Sequence, residues 1–292
     1  MKRNNLITIV ALLAQLGAAE ALDYEQLNAV KLLRGEKRFD EALQKLEQVA
    51  AQTSNVDENF HYLDIAIEIA SGSVQNLDLA LGFAGQVKDP ARRDYSKLRV
   101  LSAFKRYDEA LAGMRGKKID EWPVRCRGSA HVILAEIYRL RGDDASAQEH
   151  RLKAIASPGA EPVVRGSAAT EAGQLYLKQG DAPKAEAMFR EALEISPAYY
   201  AWRNTSLIAL SRLLINDKRA KEAATLFEGM DFFKVENINS RGQLLEAFAR
   251  ALLAAGKTIK AIETFDTLLQ SGIPDLWKNR INKELDQMAE AF

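Results

Sequence analysis

Few residues in this 292-residue chain have side chains suited to catalysis or metal binding. Three histidines, His61, His131 and His150, and a single cysteine, Cys126, are its whole stock of imidazole bases and soft ligands. No two of the histidines stand at a zinc-ligand spacing, and one thiol can neither close an internal disulfide nor build a structural zinc site. Cys126 lies shortly before His131, but a nucleophile and its base also need an orienting third group and a pocket, which the sequence does not supply. His131 reads instead as filling a helix core position, and Cys126 as a small apolar residue near a helix start. No phosphate loop, dinucleotide fingerprint or Gly-x-Ser-x-Gly elbow occurs. The expectation is no catalytic residue, no metal site, no cofactor and no enzyme.

The charged residues point the same way. The pairs Asp40-Glu41 and Asp143-Asp144 sit beside inter-helix turns, where capping and the helix dipole account for them. Lys117-Lys118 and the stretch from Arg125 to Arg127 read as solvated faces. The group Tyr199, Tyr200 and Trp202, just after Pro197, reads as packing between neighbouring units in preference to an exposed platform. Forty basic and forty acidic residues cancel, which argues against a nucleic-acid binder.

The elements that must position these residues begin with a segment of different character. Met1-Lys2-Arg3-Asn4-Asn5 is a short basic start, followed by an apolar run from Leu6 to Ala19 and the small-residue site Ala19-Glu20-Ala21. That order reads as a cleavable secretory signal over residues 1–21, and hence a periplasmic or secreted mature chain. The run is shorter than the roughly 20 apolar residues needed to span a bilayer, so no stable membrane anchor is expected after cleavage.

The rest of the chain repeats. Ala147, Ala185, Ala223 and Ala261 are each 38 residues apart, and the last three are followed four positions later by Phe189, Phe227 and Phe265. Upstream, the same alanine recurs at Ala42, Ala80 and Ala110, with the unit around Ala110 short. Before each alanine of the clearer units lies another helical pattern: His131-x2-Leu134-Ala135-x2-Tyr138 then Gly142, Ala169-x2-Ala172-Gly173-x2-Tyr176 then Gly180, and Leu245-x2-Phe248-Ala249-x2-Leu252 then Gly256. Apolar residues at three- and four-residue steps give the helical period, and glycine suits the left-handed cap. Early starts at Glu121-Trp122-Pro123 and Glu161-Pro162 predict first helices of roughly 16 to 20 residues. Trp277, Ile281, Leu285, Met288 and Phe292 form one apolar stripe, as a terminal capping helix requires.

These residues resemble the tetratricopeptide repeat, in an exported bacterial protein, whose pattern is W-x2-L-G-x2-Y, then A-x3-F, then P. The chain departs from it in lacking the first tryptophan and in placing Arg151, Ala84 and Met114 where an aromatic is expected. The resemblance implies an all-α fold, a right-handed α-solenoid of antiparallel helix pairs. About seven pairs would fill residues 22–275, clearest over 121–270, with a capping helix at 276–292. It also implies that the first helices line a partner-binding groove, onto which Arg99, Glu136, Arg139, Gln174, Lys178, Arg212 and Arg250 would project. Five of those seven are basic, which suits a protein or peptide partner of acidic character, though they are equally ordinary solvated helix residues. Three functional readings stay open. One is a non-catalytic scaffold for protein or peptide partners of the cell envelope. Another is a substrate-binding or regulatory subunit of an envelope enzyme acting on peptides or glycans, which calls for an enclosed cavity lined by His131, Glu136 and Arg139. The third is a self-assembling structural protein, against which the capping stripe argues.

Overall fold

The computed structural model of the chain describes residues 24–195 and 201–290, and side chains through 286. The signal segment expected at 1–21, Tyr199, Tyr200 and the last stripe residue, Phe292, lie outside the described residues, as does the side chain of Met288. Among those described there are fifteen α-helices and no strand, divided into two compact units, Met1–Ala160 and Glu161–Phe292.

The first unit contains α1 (Tyr24–Gly35), α2 (Phe39–Gln52), α3 (Val56–Glu68), α4 (Leu77–Gln86), α5 (Pro90–Ala103), α6 (Tyr107–Met114), α7 (Val124–Leu140) and α8 (Asp144–Ala156). A π-turn, Ile69–Ser73, extends α3, and a 3-10 turn, Ile119–Glu121, precedes α7. Consecutive helices pack as hairpins, while α3, α5 and α7 also pack side by side. The second unit contains α9 (Pro162–Lys178), α10 (Ala182–Ile195), α11 (Ala201–Asn216), α12 (Ala220–Thr225), α13 (Ile238–Ala254), α14 (Thr258–Gln270) and α15 (Asp275–Glu290). There α9, α11 and α13 form a similar row. The helices α7, α9 and α13 are each 17 residues long, starting just after Pro123, at Pro162 and after Asn237. Proline's fixed φ and missing N–H suit the first turn.

Burial explains the repeat. All seven of the register alanines, Ala42, Ala80, Ala110, Ala147, Ala185, Ala223 and Ala261, are 0% exposed. Phe189, Phe227 and Phe265, one helical turn later, are almost as deeply buried. A methyl at each alanine lets the second helix of a hairpin approach closely, and the ring one turn on fills the remaining space. At Gly173 a β-carbon would lie 2.6 Å from the Phe189 ring, so α9 can meet that ring only through glycine.

The turn inside each hairpin repeats as well. The residue five positions before each of the seven alanines has a positive φ: Lys37, Gln75, Lys105, Gly142, Gly180, Lys218 and Gly256. At six of the seven the closing bonds are alike. Gly180 N–H donates to Leu177 O (3.0 Å) and Asp181 N–H to Tyr176 O (2.9 Å), and Lys218 with Arg219 does the same to Ile215 and Leu214. This is the paired-bond cap that ends helices in a left-handed residue. At Gln75 the π-turn adds a residue, and Asn76 N–H reaches back to Ala70 O instead. Glycine fills the position three times, and elsewhere a lysine or glutamine takes a conformation that disfavours side chains.

The C-terminal helix reuses an internal contact. Trp202, at the start of α11, lies over Gly166 of α9, where a β-carbon would come within 2.1 Å of the ring. Trp277, near the start of α15, lies over Gly242 of α13 in the same way, with Ile273 beside it. Thus α15 meets α13 through the same tryptophan-over-glycine contact by which α11 meets α9, with Ile281 fully buried. Trp202 thereby joins the packing between neighbouring repeats, as expected of its aromatic group.

Candidate functional site

The residues expected to line a groove fall in both units. In the second unit Gln174, Arg212 and Arg250 occupy one repeat position on α9, α11 and α13, each 38 residues from the last. Gln174, Lys178 and Arg212 are exposed. Arg212 and Arg250, with Ile215, Asn216, Leu253 and Ala254, line an open depression of about 360 Å³. Its floor is aliphatic and its charge comes from two guanidinium groups.

The two arginines differ in how they are held. Arg250 donates to Glu246 on its own helix (2.9 and 3.0 Å) and in bidentate fashion to Glu284 of α15 (2.8 and 2.9 Å). Burial works against its charge, but Glu284 and Glu246 more than offset this and raise its pKa. Glu246 also accepts from Arg280 and from Trp277 Nε1–H (2.8 Å). Burial alone would raise that carboxyl, yet Arg280, Arg250 and Trp277 together hold it below the ordinary glutamate range. Arg250 therefore clasps the capping helix. Arg212 has no ion-pair partner among the described residues, so its guanidinium is available to an incoming group.

In the first unit, Arg99 does not line an open groove. Its side chain is only 19% exposed, ion-paired with Asp64 of α3 and lying over the Tyr95 ring at 5.6 Å. Burial opposes its charge, and Asp64 reverses that, leaving the pKa raised. Glu136 and Arg139 are both on the surface but spend their charge on each other, with two bonds of 2.6 Å. Of the five basic groove candidates, Arg99, Arg139 and Arg250 are thus matched by carboxylates of the fold itself. A residue's repeat position reads directly from the sequence, whereas the counter-ions Asp64 of Arg99 and Glu284 of Arg250, on other helices some 35 residues away, do not.

Sequence spacing also missed one cluster. His131 of α7 and His150 of α8 are 19 residues apart in sequence, and their Nδ1 atoms lie 2.9 Å apart. The ring centroids are separated by 5.2 Å, which is that contact plus one ring radius on either side, so the two nitrogens meet head-on. A metal ion would need about 2.0 Å to each nitrogen and does not fit between them. Asp120, in the 3-10 turn, stands 3.2 Å from His131 Nε2, and Tyr138 stacks on His150 at 5.4 Å. These side chains border a cleft of about 560 Å³ that also takes in Leu111, Met114 and Lys153. The cleft includes His131 but neither Glu136 nor Arg139. Cys126 is buried apart from it, and burial pushes its thiol up to about 12, which leaves it protonated and unreactive at neutral pH. Among the described residues, no group of three or more His, Cys, Asp or Glu side chains could hold a metal ion, and no helix is long and apolar enough to cross a membrane.

Repeated hairpins, the last four in 38-residue register, each with a buried alanine and a left-handed cap residue, define an all-α array of tetratricopeptide-like helix pairs. Comparison with known proteins adds similarity at the level of solved structures. The chain is similar to BtubC (BKLC) from P. vanneervenii, with 16% identity, 80% of this chain and 93% of that chain covered, and a TM-score of 0.45. It is similar to a tetratricopeptide repeat protein from Parabacteroides merdae (14% identity, 89% and 97% covered, TM-score 0.44). A third similarity is to the apo quorum sensor NprR from B. thuringiensis (14% identity, 97% and 92% covered, TM-score 0.42). No protein-family model and no curated protein matches the chain.

Proposed function

We propose that this chain is a non-catalytic interaction scaffold that holds an extended segment of a protein partner along the row of first helices α9, α11 and α13. The observation that carries this reading is the Arg212 depression on α11 and α13. There an uncommitted guanidinium stands over aliphatic Ile215 and Leu253 on a surface otherwise neutralised by its own ion pairs. Such a place suits one acidic side chain of a partner, flanked by apolar contacts, while exposed Gln174 and Lys178 extend the track along α9. The basic start, apolar run and Ala19-Glu20-Ala21 site support export, which would place the partner in the periplasm or cell envelope.

The test is capture of partners by the mature chain from an envelope fraction, compared with Arg212→Glu. Arg212 is exposed, so the variant should keep its helical circular dichroism. Partner recovery is expected to fall about tenfold through like-charge repulsion. Full recovery by the folded variant would remove the depression from the binding surface.

A further inference from the structure

The His131–His150 contact lies on α7 and α8 of the first unit, and its chemistry allows only certain protonation states. Two ring nitrogens 2.9 Å apart and head-on can share one hydrogen but cannot each carry one. Facing the Asp120 carboxylate, His131 Nε2 must bear a hydrogen, which leaves its Nδ1 as an acceptor. His150 Nδ1–H therefore donates to His131, and His150 Nε2 is left as the unprotonated nitrogen, with no partner among the described residues. The first added proton fits on that nitrogen without disturbing the pair. A second would place two N–H groups face to face.

We propose that His131 and His150 form a proton-operated latch between α7 and α8, closed with no proton or one added and forced open by the second. The half-buried His150 is the ring that moves, leaving its stack on Tyr138 and turning out to solvent beside the cleft. The charged surroundings act in both directions. Asp120 draws a proton towards His131, while Arg127 on α7 and Lys153 on α8 oppose it, the latter partly neutralised by Glu149 at 2.7 Å. On the loop after α6, Lys118 is paired with Glu121, and Lys117 with Asp94 of α5. Both histidines sit below their ordinary value. Burial is the largest cause for each, and for His150 a charge on the neighbouring His131, together with Lys153, adds to it, so that with both rings charged it comes down to about 4. The pH window follows from these directions. A histidine whose pKa is lower folded than unfolded adds stability that is complete above about 6.5 and lost as pH falls towards 4.

Histidine-selective ¹⁵N NMR on the full chain, from pH 7.5 to about 3, tests this. At pH 7.5 the spectrum is expected to show His131 as the Nε2–H tautomer and His150 as the Nδ1–H tautomer. On acidification the pair should take up its protons in two steps at least tenfold apart in affinity, with Tm falling from about pH 6.5 until the second is complete. In His150→Gln the amide N–H can still donate to His131 Nδ1 without titrating, so Tm should stay level over the same range relative to wild type. Asp120→Asn, at an exposed site, should keep the fold and move both steps to lower pH. Independent titration of both rings near pH 6.5 would overturn the proposal. So would the opposite tautomers, an unshifted Asp120→Asn, or a His150→Gln protein with the wild-type Tm profile.

Discussion

Phe189→Ala is expected to destabilise the Glu161–Phe292 unit by about 3–5 kcal/mol, the range for emptying a fully buried aromatic site. The ring is 0% exposed, under Gly173 of α9 and in one cluster with Ala185, Leu210 and Leu214. It therefore joins the helices of one hairpin to the first helix of the next, and no single neighbour can close over the gap. Because each pair in such an array is stabilised mainly by the pairs beside it, the loss should spread to α11 rather than stay within α10. Urea unfolding monitored by tryptophan emission, with Trp202 and Trp277 both in this unit, would measure it. A loss below about 1 kcal/mol, the scale of a surface substitution, would mean that the ring is not the joint described here.

The second large effect is expected at Asp64. Asp64→Ala leaves the Arg99 guanidinium largely buried and without its carboxylate, and removing one member of such a pair costs about 3–5 kcal/mol. Replacing both partners should recover most of this, because a buried ion pair and apolar groups of similar volume are often close in stability. The expected outcome is a stability order of wild type, then Asp64→Ala/Arg99→Met close behind, then Asp64→Ala well below. Thermal unfolding of the three proteins reads it. Equal stability of Asp64→Ala and wild type would show Arg99 to be a solvated surface residue after all, as its repeat position had suggested.

Arg99 also shows where sequence reading stops. The helical period, the 38-residue register, the buried alanines and the glycine caps were all legible, because each is a spacing of residue types along the chain. The same holds for His131 and Trp202, whose burial follows from the face of the helix they occupy. Charge state across helices was not legible. Arg99 and Arg250 share a repeat position with Arg212, but Asp64 and Glu284, which neutralise them, lie on other helices. His150 stayed hidden for the same reason, since it meets His131 across a hairpin at a separation with no sequence signature. The positive φ at Lys37, Gln75, Lys105 and Lys218 was missed because only glycine advertises that conformation.

The central claim is that partners engage the first-helix row and not the second helices. Site-specific photo-crosslinking of the mature chain in its native envelope fraction tests it most directly, with the reactive group at exposed Gln174 of α9 or at exposed Glu263 of α14. The account expects crosslinked partner from position 174, reduced when Arg212→Glu is added, and little from position 263. Equal crosslinking from the two positions, or crosslinking from 263 alone, would contradict it.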